Sequence, residues 1–196
     1  MKKRKIPIFL VLGIVLVVVS FSLIVGLQIC TRIGANESEK AVTRMNEILP
    51  ERTAGVPEIS PNPNMPVLDI YGTDYVALIE IPSLSLALPV ADGWNGKKLY
   101  NSPARFYGSC YDHSLVIGGA DNSRQFSFCD KIEDGTVIIV TDMTGAQFSY
   151  TVSCVERAKS AESNWLIRGD HDLTLFCRDT YSMEYIAVRC DFDITA

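Results

Sequence analysis

The 196-residue chain, 47% hydrophobic and 21% charged, is long enough for one domain of ordinary size with appendages, and too short for a second catalytic domain. Its net charge of -5 is unevenly divided: Lys2, Lys3, Arg4 and Lys5 contribute +4, leaving -9 on everything after them. An acidic body with no basic stripe excludes nucleic acid as a partner, because too few cations remain to neutralise phosphates.

From Ile8 to Leu27 there is no charge, and only Gly13, Ser20, Ser22 and Gly26 interrupt the apolar side chains. At about 1.5 Å per residue this run spans roughly 30 Å of hydrocarbon, which predicts a transmembrane signal anchor within residues 1–30. The basic cluster precedes the run and only Arg32 follows closely. The positive-inside rule therefore predicts a single-pass protein of the cell membrane, N-terminus cytoplasmic and residues beyond Cys30 outside. A cleaved signal peptide is the alternative, but the run exceeds the roughly 7 to 15 apolar residues usual there, and no small-x-small site follows. Leu27-Gln28-Ile29-Cys30 has the outline of a lipoprotein cleavage box with Ile29 where a small residue is needed.

Six cysteines in an exported chain raise the question of disulfides. Cys30 lies at the membrane edge. Cys110, Cys129, Cys154, Cys177 and Cys190 are an odd set outside, so at least one thiol stays free unless it pairs between molecules. The count permits a bridge such as Cys154 to Cys190, and a reducing setting permits none.

Residues 31–70 read as a stalk. Asn36 to Leu49 carries Ala41, Met45, Ile48 and Leu49 at near-helical spacing, which predicts a short amphipathic helix. Pro50, Pro57, Pro61, Pro63 and Pro66 then exclude helix interior and favour an extended, semi-rigid spacer. The folded domain is predicted over 71–196. Tyr75 to Ile81 reads as a strand ended by Pro82, and Leu84 to Val90 alternates again before a turn at Gly93-Trp94-Asn95-Gly96. Further β-type runs are Ser114 to Gly118, Thr136 to Val140, Gln147 to Val152, Leu173 to Cys177 and Tyr185 to Val188. Asn122 to Asp130 fits a helical turn. Short strands at close spacing, with turn signals at Asp134-Gly135 and Thr144-Gly145, predict an all-β fold, mainly β with short helices, as a closed β-barrel. The sequence has no internal repeat and no Gly-rich phosphate loop.

Asp172-Leu173-Thr174-Leu175-Phe176-Cys177-Arg178 alternates as a half-buried strand does, between Gly169 and Asp179-Thr180-Tyr181-Ser182. Cys177 is thereby expected where a strand leaves its sheet, within reach of a substrate. The competing reading is one more small core residue, since free cysteine is among the most buried types.

The order of these segments resembles the sortases, membrane-anchored cysteine transpeptidases of bacterial surfaces. Ile79-Glu80-Ile81-Pro82 and Leu88-Pro89-Val90 are similar to the family's opening strand pair, and Asn101 to Ser109 to the segment before its histidine strand. Phe126, Ile132 to Thr141 and Gly145 to Val152 resemble its central hairpin, and Asp172 to Cys177 its nucleophile strand, usually written TLxTC. The resemblance runs from Tyr75 to Cys190, and implies a sortase-like barrel, Cys177 as catalytic nucleophile and a surface-protein sorting peptide or other peptide as ligand. Three positions depart from it. Where the family reads I-A-G-H the chain reads Ile117-Gly118-Gly119-Ala120, so the histidine position holds Ala120. Phe176 replaces the threonine before the nucleophile. The arginine position falls on Glu184 or Tyr185.

Acyl transfer of the family's type requires a thiolate, a proton donor for the leaving amine and a cation for the oxyanion. Only the first has a residue in place, and a lone thiol with a pKa near ~8.5 is mostly protonated at neutral pH. His113, at the start of the strand leading to Ala120, and His171, six residues before Cys177, are each expected on the order of 20 Å away along an extended strand. Arg178 alternates to the opposite face from Cys177, Arg189 lies beyond the family's arginine position, and Arg105 and Arg124 come from loops. Asp170, Asp172 and Asp179 would raise the pKa of a nearby thiol. Cys110 and His113 form a C-x-x-H pair without a second pair at zinc spacing, so neither a metal site nor a cofactor is expected. Trp94 and Trp165 are candidates for lining a peptide groove or for packing. The leading reading is a degenerate sortase relative that keeps Cys177, lacks transpeptidation and binds a peptide or partner. One alternative is a working transpeptidase or hydrolase that rebuilt its acid and cation from Arg105, Arg124, Arg178, His113 or His171. The other is a purely structural ectodomain.

Overall fold

The computed structural model describes residues 8–54, 64–95, 99, 101–167 and 170–193. The basic tail, Pro57, Pro61, Pro63, Gly96 and Gly169 lie outside the described residues.

Helix α1 runs Ile8–Ile48 without interruption. Proline is tolerated only at a helix's edge, and the sequence places Pro7 and Pro50 just outside it with none between. The expected anchor and the expected short helix are therefore one element. Its far end is not a free stalk: Ala41 and Met45, one turn apart and fully buried, pack on Ile70, Tyr75, Leu78, Ala91 and Ala104. Met65 also enters the barrel core, so the folded body takes in residues before the expected boundary at 71. Among the described residues no helix is long and apolar enough to cross a membrane.

Ten strands follow: β1 (Thr53–Ala54), β2 (Leu68–Ile70), β3 (Thr73–Ile81), β4 (Leu86–Ala91), β5 (Ala104–Tyr107), β6 (Leu115–Gly118), β7 (Val137–Asp142), β8 (Ala146–Ala158), β9 (Leu173–Arg178) and β10 (Tyr185–Phe192). Pro82–Leu84 forms a 3-10 turn, so β4 starts later than the alternation suggested. The short helix α2 (Ser163–Leu166) lies between β8 and β9. Strands β3 to β10 close into the expected barrel. The path β3-β4-β5-β6-β9-β10-β8 is joined into a ring by β7, which pairs with both β3 and β8. Two contacts within the ring are parallel, β4 with β5 and β6 with β9, and β1 adds a parallel pair with β8 outside it.

Inward side chains such as Ile79, Ile117, Phe148, Leu175 and Val188 fill the barrel, each fully buried aliphatic contributing about 1.5–3 kcal/mol. The outside of β6, β9 and β10 is covered too. Val116, Phe176 and Ala187 lie there under Leu166 and Trp165, beside Phe106. This double cover corrects the half-buried expectation for the nucleophile strand: Leu173 through Cys177 are all buried, and only Arg178 is exposed. Thr174 and Phe176, the members expected on the wet face, face this second layer instead.

Candidate active site

Parallel pairing of β6 with β9 sets Gly118 beside Phe176, and antiparallel pairing of β10 sets Ile186 beside Cys177 and Tyr185 beside Arg178. The ends of β6 and β9 and the start of β10 therefore meet at one end of the barrel. Of the positions that the resemblance matches to histidine, cysteine and arginine, Ala120 follows β6, Cys177 lies near the end of β9, and Glu184 and Tyr185 lie where β10 begins.

Residues 120–132 form hydrogen-bonded turns over that end. The Phe126 amide donates to the Ala120 carbonyl (3.0 Å), the Ala120 amide to Gln125 Oε1 (2.9 Å), and Gln125 Nε2 to the Leu99 carbonyl (3.0 Å). Beneath them Cys177 is only 2% exposed, and its thiol donates to the Phe126 carbonyl at 3.6 Å. The Cys129 amide donates to the same oxygen at 3.0 Å. Burial, then the neighbouring Cys177, pushes the Cys129 thiol well above the ordinary thiol range.

Two consecutive glycines admit this closure. A Cβ on Gly118 would stand 2.1 Å from the Trp94 ring, and one on Gly119 2.6 Å from Phe126. Without side chains, the end of β6 lets Trp94 press on the barrel's outer face and Phe126 close over its mouth. Trp94 packs on Phe176 (ring centroids 5.3 Å apart) and Phe106 (5.4 Å), and Phe106 on Phe176 (5.5 Å). Next to this cluster an open cleft of about 390 Å³ is lined by Trp94, Tyr107, Arg105, Asp92 and Asp112. Trp94 and Tyr107 are 42% and 47% exposed.

The candidate helper residues are engaged elsewhere. His113 Nδ1 lies 2.8 Å from Asp172 Oδ1, and His171 Nδ1 2.8 Å from Asp191 Oδ1. Both pairs sit where β6 and β9 begin and β10 ends, the barrel's other end from Cys177. Arg105 is paired with Asp92 at 2.6 Å. Arg124 is exposed on the 120–132 turns. Arg178 projects outward, its Nε donating to the Met183 carbonyl (3.3 Å) and its guanidinium over the Tyr185 ring. Arg189 is fully buried on the outer side of β10. It donates to Glu156 Oε2 (2.9 and 3.0 Å), Thr174 Oγ1 (3.0 Å) and the carbonyls of Leu166 (3.1 Å) and Trp165 (2.6 Å), with its guanidinium over the Trp165 ring. Trp165 thus packs on an arginine, while Trp94 does border a cleft.

Of the three nearby aspartates, Asp179 alone stands at the Cys177 end. Amide and hydroxyl donors from Tyr181 and Ser182 hold its carboxyl below the usual range. Asp172 accepts from the Phe192 amide (2.6 Å) at the far end, and Asp170 is exposed. Cys110 is buried, with burial and Asp142 pushing its thiol up to about 12, and among the described residues no cluster could hold a metal. Cys110, Cys129, Cys154, Cys177 and Cys190 are all free. A bulge in the β8–β10 pairing sets Cys154 opposite Arg189 and Val152 opposite Cys190, so the bridge that the count permitted does not form. Phe126, Cys129 and Trp94 carry the closure. The Gly118-Gly119 pair was its one sequence signal, and a sequence cannot say which ring a glycine admits.

No family model matches the chain, and no curated protein matches it. Solved structures match its fold. Sortase A from Corynebacterium diphtheriae aligns with a TM-score of 0.55 and 19% identity over 63% of this chain and 64% of that one. Sortase C1 from Streptococcus agalactiae aligns at 0.54 and 23% over 66% and 72%, and sortase C from Clostridium perfringens SM101 at 0.54 and 19% over 83% and 87%. The chain has a divergent sortase-like fold. It spans just under two thirds of the length of the C. diphtheriae structure.

Proposed function

We propose that this is a membrane-anchored surface protein on a sortase scaffold that has lost transpeptidation and binds an extended peptide in the cleft beside Trp94. The observation that carries the loss of chemistry is the sealed sulfur of Cys177, beneath Phe126 and remote from both histidines. A general acid contributes about 10² to 10⁴ in rate and an oxyanion donor about 10² to 10³, so a thiol with neither and no access turns over nothing useful.

The cleft offers two exposed aromatic faces beside the Arg105–Asp92 pair, a mixture suited to apolar side chains on a polar peptide backbone. The anchor reading rests on the apolar run and on α1's described side chains from Leu12 to Val25, exposed in a stretch that water would not tolerate. In this reading the basic tail lies in the cytoplasm and the barrel outside the cell membrane.

Thiol alkylation of the folded protein at rising pH, followed by peptide mass mapping, tests the inactive site. Cys154, half-buried and with its thiol raised by burial and Glu156, is expected to react first and only in alkaline solution, with Cys177 protected throughout. Rapid labelling of Cys177 at neutral pH would mean a working nucleophile and overturn the proposal.

A further inference from the structure

The barrel's end holds two thiols that the proposed peptide binding does not use. Cys129 is fully buried and Cys177 2% exposed, and they come from elements far apart in sequence. The Phe126 carbonyl accepts both the Cys177 thiol at 3.6 Å and the Cys129 amide at 3.0 Å, which gathers the two cysteines at one oxygen. Both belong to the same core cluster. A disulfide here requires the two side chains, already gathered at one carbonyl, to approach each other.

We propose that Cys129 and Cys177 form a reversible dithiol–disulfide pair, oxidised by exchange with a disulfide-class oxidant, which stitches the 120–132 turns to the nucleophile strand. One thiolate of the pair attacks the oxidant's disulfide, giving a mixed disulfide and releasing one thiol. The other thiolate attacks the protein-bound sulfur, forming the Cys129–Cys177 bond and releasing the second thiol, the two protons of the protein dithiol ending on the two released thiols. The bond closes a loop of roughly 50 residues from the 120–132 turns to β9, and a bridge across such a loop stabilises by restricting the unfolded chain. Burial keeps Cys129 protonated and slows the exchange, which proceeds through opening of the turns.

The test uses the full chain. The protein is incubated with oxidised glutathione, remaining thiols are alkylated after unfolding in denaturant, and intact mass and non-reducing peptide maps are recorded. The expected product is lighter by two hydrogens, carries a linked peptide containing Cys129 and Cys177, and returns to the dithiol on reduction. Cys129→Ser should abolish the linked peptide. Should that variant fail to fold, the wild-type map decides alone. Both thiols remaining alkylatable after oxidation, or a bridge joining either one to Cys110, Cys154 or Cys190, would overturn the proposal. Peptide binding in the Trp94 cleft does not depend on either result.

Discussion

Trp94 lies on Phe176 with ring centroids 5.3 Å apart, and Phe176 occupies the position where the family's nucleophile strand carries threonine. A small polar position has become the centre of an aromatic cluster, and Gly118 is the neighbour that lets the indole descend onto it. Gly118→Ala would place a methyl 2.1 Å from the Trp94 ring, too close for any adjustment short of moving the indole. The expected result is a red shift of tryptophan fluorescence and a loss of about 1–3 kcal/mol, the usual range for overpacking. Pairing the change with Trp94→Ala should recover most of that loss, which urea denaturation of the four proteins of the cycle would measure.

Arg189 is a structural centre. Its guanidinium joins β10 to Glu156 on β8, Thr174 on β9 and the carbonyls at α2. Arg189→Leu leaves those buried acceptors unpaired and is expected to cost about 3–5 kcal/mol. Glu156→Gln keeps an acceptor toward the guanidinium, and Glu156 is partly exposed, so it should cost about 1 kcal/mol or less. Equal losses for the two variants in chemical denaturation would mean that the arginine's value lies in the ion pair and not in holding the carbonyls.

The barrel was legible because its strands alternate or run apolar between turn signals, and because the resemblance supplied their order. That order also put Ala120 after β6, Cys177 on β9 and Glu184 or Tyr185 at the start of β10. Arg189 was not legible, since a charged residue within a strand reads as solvated until the elements covering it are known. The burial of Thr174 and Phe176 escaped for the same reason: period two reports which residues share a face, and not whether α2 and Trp94 will come down on that face. The closure over Cys177 depends on turns at 120–132 whose only sequence mark was a helical tendency.

Asp191 links stability to pH. Burial raises its pKa, but the Ser153 hydroxyl and then His171 outweigh that, and the net shift is downward. A carboxylate depressed in the folded state stabilises above its unfolded pKa of about 3.9, and that contribution is lost as pH falls through the folded value. The side chain is 53% exposed, so the effect is expected to be under about 1 kcal/mol. Asp191→Asn should lower stability at pH 6 and converge with wild type in strong acid. Thermal melts across that range check the sign: a difference that widens on acidification would contradict it.

Placing an imidazole at position 120, which the resemblance matches to the family's histidine, separates missing chemistry from missing access. Ala120 stands at the histidine position, yet its amide is held by Gln125 and its carbonyl by Phe126, within the turns that close over Cys177. Ala120→His is therefore expected to leave the alkylation rate of Cys177 within about threefold of wild type, because a base activates only a thiol that a reagent can reach. Phe126→Ala opens the mouth of the barrel at a cost of about 3–5 kcal/mol and should raise the Cys177 rate at least about tenfold, whether or not the histidine is present. The double variant should add a neutral-pH component to labelling, since the imidazole then draws the proton from an accessible thiol. Site-resolved mass spectrometry of the three variants reads these rates. If Ala120→His alone brought Cys177 to the rate of the opened protein, access would not be the barrier, and the sealed sulfur could no longer account for an inactive site.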